Sequence, residues 1–148
     1  MADEYYIQTQ IRSLEAQLSE LHKQRALLEQ RLADLYQLES RFGDTQAKFK
    51  TQQQARRVAL AGVASRASIS RIAQRYHTGM TSLLDGSRYR QVIGGLNAGM
   101  DRIQQEISGT ISQIESINAQ IAHGRARLNQ LEYQYQQARN EHLQRQQQ

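Results

Sequence analysis

From Ile7 onward the large apolar residues recur at alternating steps of four and three: Ile7, Ile11, Leu14, Leu18 and Leu21, then Leu28, Leu32, Leu35 and Phe42, with Phe49 still in phase. Steps averaging 3.5 residues keep one seam of a slightly underwound helix facing a partner, which is the pattern of a coiled coil. Arg25 and Glu39 interrupt the seam. A polar residue at such a position either fixes axial register at some cost in stability or lies along the seam with its charged end in water. The phase continues through Leu60 and Val63, then shifts to Ile69, Ile72, Tyr76 and Leu83, which predicts a kink or re-phasing near Ala61, Gly62 and Val63.

A second long seam follows: Ile93, Leu96, Met100, Ile103, Ile107, Ile114, Ile117, Ile121, Leu128, Leu131 and Tyr135, with Thr110 and Gly124 as weak layers. Between the two seams, Leu84, Asp85 and Gly86 precede Ser87. Glycine is the residue that most readily takes the left-handed conformation ending a helix, and serine caps the start of the next one, so the hairpin turn is expected there. The fold class read from this pattern is all-α, an elongated antiparallel coiled-coil helical hairpin. It forms a single domain over 1–148, with a first arm over about 4–84, a turn at about 84–87 and a second arm over about 88–144. The alternative is a three-helix bundle with an extra break near Gly43, where Gly43, Asp44 and Thr45 are adjacent. The heptad phase crosses that point unchanged and favours the hairpin.

The unequal arms carry a functional expectation. A turn at Asp85 and Gly86 sets Phe49 opposite Ala122 and Leu60 opposite Ile111, and leaves everything before about Lys23 overhanging. Ile7, Ile11, Leu14, Leu18 and Leu21 then form an uncovered stripe, each side chain worth roughly 1.5–3 kcal/mol if buried. Such a stripe is expected to dock a helical protein partner or a second copy of the chain. A break near Gly43 would instead let it fold back on its own chain.

Composition agrees with long helices. The 148 residues include no proline, whose missing N–H and ring would interrupt a helix, and Gln, Glu, Arg, Leu and Ala enter helices at little cost. Cysteine is also absent, which excludes disulfides, thiol nucleophiles and Cys-ligated metals. No apolar run is long enough to span a bilayer, and MADEYYIQTQ lacks the basic and apolar regions of a cleaved signal peptide. The expected localisation is cytoplasmic, with any export following a route that reads no cleavable signal.

Candidate chemistry is sparse. His22, His77, His123 and His142 are scattered, none with a second ligand three or four residues away as a helical metal site requires. The acids interleave with Arg and Lys rather than forming an isolated pair, and no nucleophile elbow, phosphate loop or dinucleotide fingerprint occurs. Gly94, Gly95 and Gly99 lack the strand and lysine of a phosphate cradle. Gly95 and Gly99 share a helical face that either admits a close neighbour, with Ala59 to Ala67 opposite, or is merely tolerated. The chain is therefore read as a non-enzyme without cofactor or metal.

Charge is uneven. Between Lys48 and Arg90 stand nine basic residues (Lys48, Lys50, Arg56, Arg57, Arg66, Arg71, Arg75, Arg88 and Arg90) against the single acid Asp85. A basic patch of this kind serves a protein-docking surface, nucleic acid or an acidic membrane surface. Tyrosines such as Tyr76 and Tyr89 are too few for a single-strand stacking platform, and no recognition-helix pattern occurs, so protein docking is the preferred reading.

Tyr5, Tyr6 and Ile7 leading into Ile11, Leu14, Leu18 and Leu21, the sequence Leu84-Asp85-Gly86, and the Ile-rich second arm together resemble the small WXG-like helical-hairpin proteins of bacterial type VII secretion. The similarity is to the longer kind associated with LXG polymorphic toxins, and it covers most of the chain. Where that family carries Trp-x-Gly in its turn, Leu84-Asp85-Gly86 stands here without the tryptophan. The Tyr-x-x-x-Asp/Glu export signal is missing too, since Tyr133 is followed at that offset by Gln137 and Tyr135 by Arg139. The resemblance implies an adaptor, chaperone or co-secreted partner that pairs with the helical leader of a secreted toxin. The alternative from a different class is a stalk or chaperone-escort protein of flagellar or type III export. A third reading is a nucleic-acid or membrane-surface binder using the basic end.

Overall fold

The computed structural model describes residues 2–67 and 71–148, apart from the side chains of residue 2, residues 63–67, Ala73 and Asp85. Helix α1 runs over Ala2–Ala67, α2 over Arg71–Asp85 and α3 over Ser87–Gln147, and no strand occurs among the described residues. The protein is an all-α helical hairpin, one arm α1 and the other the bent pair α2 and α3. Asp3 and Glu4 in the first turn of α1 and Arg145 in the last turn of α3 oppose the partial charges of those helix ends. Helix α1 passes through Gly43, Asp44 and Thr45 unbroken, where the Thr45 hydroxyl donates to the Arg41 carbonyl at 3.0 Å. The three-helix alternative is thereby set aside, and no break interrupts α1 at Ala61 and Gly62 either.

The chain divides into two compact units, one formed by residues 1–33 with 108–148 and the other by residues 34–107. In the first, Leu18 packs with Ile117 and Ile121, and Leu14, Leu21, Leu28 and Leu128 close around them. Burial along α3 follows the alternation of three and four through Thr110, Ile117, Ile121, Gly124 and Leu131. Thr110 is 2 % exposed and Gly124 is buried, so the two weak layers are packed layers. The Leu18 side chain lies so close over Gly124 that a Cβ built there would stand 2.6 Å from its Cδ2.

Polar contacts cross the same seam. Arg25, at the first interruption, donates from Nη1 to Asn118 Oδ1 at 3.1 Å and places Nη2 3.0 Å from His22 Nδ1, with Glu29 3.9 Å from its Nε. Arg125 approaches His22 Nε2 at 3.4 Å. Arg25 thus reaches across to the opposite helix instead of only trailing into water, and His22 beside it is half-buried.

In the second unit, Phe42 sits over Gly99, its ring 2.6 Å from where a Cβ would be, and Met100 lies against Gly43. Gln46 donates to Asn97 at 3.4 Å, Phe49 stacks on Tyr89 with ring centroids 5.7 Å apart, and Gln53 donates to the Leu84 carbonyl at 2.7 Å. As numbers rise along α1 they fall along α3 and then α2, so both later helices run antiparallel to α1. The chain therefore reverses between α1 and α2 and not at 84–87; residues 68–70 lie outside the described residues.

That finding corrects the sequence expectation in three ways. The first arm ends at Ala67 rather than about 84. The partners expected for Phe49 and Leu60, namely Ala122 and Ile111, are replaced by Tyr89 and by the neighbourhood of Leu84. Leu84, Asp85 and Gly86 mark a break inside the returning arm. Gly86 is also not left-handed, since no glycine has positive φ; glycine is needed there because a Cβ would stand 2.5 Å from the Ser82 carbonyl oxygen. Helix α3 resumes at once, with the Arg90 amide donating to the Gly86 carbonyl at 3.2 Å.

With the register corrected, the proposed docking stripe is covered by its own chain. Leu18 is 8 % exposed, Leu14 and Leu21 pack on the core cluster, and Ile7 and Ile11 are half-buried. The stripe that was to bind a partner is the α1 side of the first unit's seam.

Candidate functional site

An apolar stripe left open among the described residues lies on α2. Its fifteen residues carry apolar side chains around more than one edge, but α1 covers only the edge bearing Leu84 and, in part, Met80, His77 and Thr81. Ile72, Tyr76 and Leu83 stay 81 %, 54 % and 64 % exposed. Large apolar side chains grouped on one short helix are the informative kind of exposure, because scattered ones are ordinary on any surface.

Tyr76 and Leu83 border a groove of about 550 Å³ within the second unit. Its floor is Phe49, Gln53 and Leu60 of α1 with Leu84 of α2. Tyr76, Met80 and Leu83 of α2 form one wall, and Tyr89 and Val92 of α3 continue it beyond the break. The break at Gly86 lets α3 leave at an angle from α2, and so both helices contribute to one concavity. Tyr76, Met80 and Leu83 follow one another at steps of four and three, the spacing with which one helix meets another.

Gln53 is the residue that sequence reasoning missed. It is 6 % exposed and its amide caps the carbonyl of Leu84, one of the acceptors left without an intrahelical donor at the end of α2. Its signal was present: Gln53 lies four residues after Phe49 and seven before Leu60, in phase with the seam. The cap pins the end of α2 against α1 and thereby holds the groove's floor together.

The rim is basic. Arg56 and Arg88 line the groove, and the Arg57 guanidinium lies 5.7 Å from the centroid of the Tyr89 ring, within cation–π range. Arg56, Arg57, Arg71, Arg75, Arg88 and Arg90 are all exposed in this unit, while the side chain of Arg66 lies outside the described residues. Of the turn residues, Leu84 is buried in the floor and Gly86 is half-buried, and the side chain of Asp85 lies outside the described residues.

Gly99 admits a close neighbour, as one reading of the glycines expected, but the neighbour is Phe42 and not the stretch from Ala59; Gly94, Gly95 and Gly109 face open space. Among the described residues no three His, Asp or Glu side chains cluster as metal ligands, and no helix is long and apolar enough to cross a membrane. No protein-family model, curated protein or solved structure matches the chain.

Proposed function

We propose that this protein is a protein-binding adaptor whose helical hairpin receives a helical segment of another protein in the groove of the second unit. The observation that carries the reading is the exposed apolar stripe of α2, Ile72, Tyr76 and Leu83, of which Tyr76 and Leu83 line a groove floored by Phe49 and Leu60. Water leaves roughly 1.5–3 kcal/mol per large apolar side chain unrealised, and a helix laid along the stripe recovers it. The N-terminal stripe, with Leu14, Leu18 and Leu21 packed inside its own unit, offers a less open face.

The resemblance to WXG-like hairpins supports a finer form of the proposal: the partner is the helical leader of a type VII secretion substrate such as a toxin, and the hairpin acts as its chaperone or co-secreted partner. The test is co-expression with the leader of a toxin encoded beside this gene, comparing wild type with Leu83→Ser plus Tyr76→Ser. Capture of the leader by wild type and its loss in the variant are expected, with helicity unchanged because both side chains are largely exposed. Failure of wild type to bind any neighbouring leader overturns the adaptor reading.

A further inference from the structure

Resting on that adaptor reading, we infer that the groove of the second unit selects one class of occupant: a single amphipathic helix of a partner protein whose apolar face is flanked by acidic residues. The size is right for one helix. From Phe49 to Leu60 the floor follows eleven residues of α1, about 16 Å or three turns at 1.5 Å per residue. Anchors at i, i+4 and i+7 of a bound helix would meet Tyr76, Met80 and Leu83, which have the same spacing.

Charge selects among such helices. Nine basic residues and one acid lie between Lys48 and Arg90, and Arg56 and Arg88 stand on the groove itself. A helix with Glu or Asp beside its apolar face gains favourable encounters and register there, whereas one flanked by Lys or Arg is repelled. The same argument disfavours a second copy seated groove to groove, since it would bring two basic rims together. An anionic bilayer meets the charge but not the shape, because a flat surface cannot reach Leu60, which is 8 % exposed at the bottom of a concavity. A small ligand is poorly served by walls as open as those of Tyr76 and Leu83.

The test uses two synthetic helical peptides with one identical leucine face, flanked by Glu in one and by Lys in the other, titrated against the full chain by fluorescence anisotropy. The acidic peptide is expected to bind at least about tenfold more tightly than the basic one, with the preference weakening as salt rises. Arg56→Glu with Arg88→Glu should reverse the preference, and Leu83→Ser with Tyr76→Ser should abolish binding while circular dichroism is unchanged. Equal affinity for the two peptides, binding by neither, or binding that survives loss of Leu83 and Tyr76 overturns the inference. Displacement of the acidic peptide by phosphatidylserine vesicles but not by phosphatidylcholine vesicles overturns it in favour of a membrane surface. The two readings fail separately: a neighbouring leader captured equally by wild type and by both groove variants removes this seat and leaves an adaptor, whereas no captured leader removes the adaptor.

Discussion

Replacing Gly124 by alanine sets two effects of similar size against each other. Alanine is favoured over glycine in a helix interior by about 1 kcal/mol, because glycine loses more backbone freedom on folding. Against that gain, the new Cβ would stand 2.6 Å from Leu18 Cδ2 and 3.4 Å from its Cγ. Leu18 is 8 % exposed and held by Ile117 and Ile121, so its methyl has little room to withdraw, and overpacking of this kind costs about 1–3 kcal/mol. The net expectation is a loss of about 0–2 kcal/mol. Gly109, on the same helix and in the same unit, has nothing within 4 Å of its Cβ position, so Gly109→Ala should gain about 0.5–1 kcal/mol. The difference between the two variants isolates the steric contribution. Urea titration followed by circular dichroism reads it as opposite shifts in midpoint at constant slope. Adding Leu18→Ala should turn Gly124→Ala from harmful to helpful within that background. Equal stabilisation by Gly109→Ala and Gly124→Ala would refute the reasoning, and with it the register that places Leu18 over Gly124.

Three further outcomes follow from the same contacts. Gln53→Leu should destabilise by about 1–2 kcal/mol in the same titration, because it leaves the Leu84 carbonyl without its 2.7 Å donor; an unchanged midpoint would show that water replaces the cap. Gly86→Ala should cost about 1 kcal/mol or more, since its Cβ meets a backbone oxygen, while Gly79→Ala, with open space around it, should stabilise; thermal melts of the two variants distinguish them. Leu18→Cys with Gly124→Cys in this cysteine-free chain should oxidise to an intramolecular disulfide, seen as a two-dalton loss by mass spectrometry; exclusively intermolecular dimers would contradict the pairing.

The seam was legible because burial follows a period that large apolar residues display directly: nearly every residue named from Ile7 to Leu60 and from Ile93 to Tyr135 lies buried or half-buried. The place where the chain reverses was not. Gly86 and Ser87 announce a helix end, but a stop signal does not say whether the next helix turns back or merely bends away. The reversal falls between α1 and α2, and the sequence from Val63 to Arg71 has no glycine or proline to mark it. Periodicity is equally silent about axial pairing, and the misplaced turn carried the docking stripe with it. Of the stripe Ile69, Ile72, Tyr76 and Leu83, Ile69 lies outside the described residues and the other three share a face of α2, yet a period reports that a face is apolar and not what covers it. The basic patch needed no geometry to find, whereas the place of Arg56 and Arg88 on a groove did.

Phe42 over Gly99 and Leu18 over Gly124 give each unit one bulky side chain fitted to one missing side chain. Two helices with a uniform seven-residue repeat could slide past each other by a heptad at small loss, and their length would be free to drift. Here such a slide would press Leu18 upon Ile117 or Leu131 and Phe42 upon Val92 or Glu106, with no vacancy to receive either. Insertions and deletions should therefore survive in descendants of this gene only when both arms change by the same whole number of heptads. Two glycines, contributing no atoms beyond the backbone, are what measures one arm against the other.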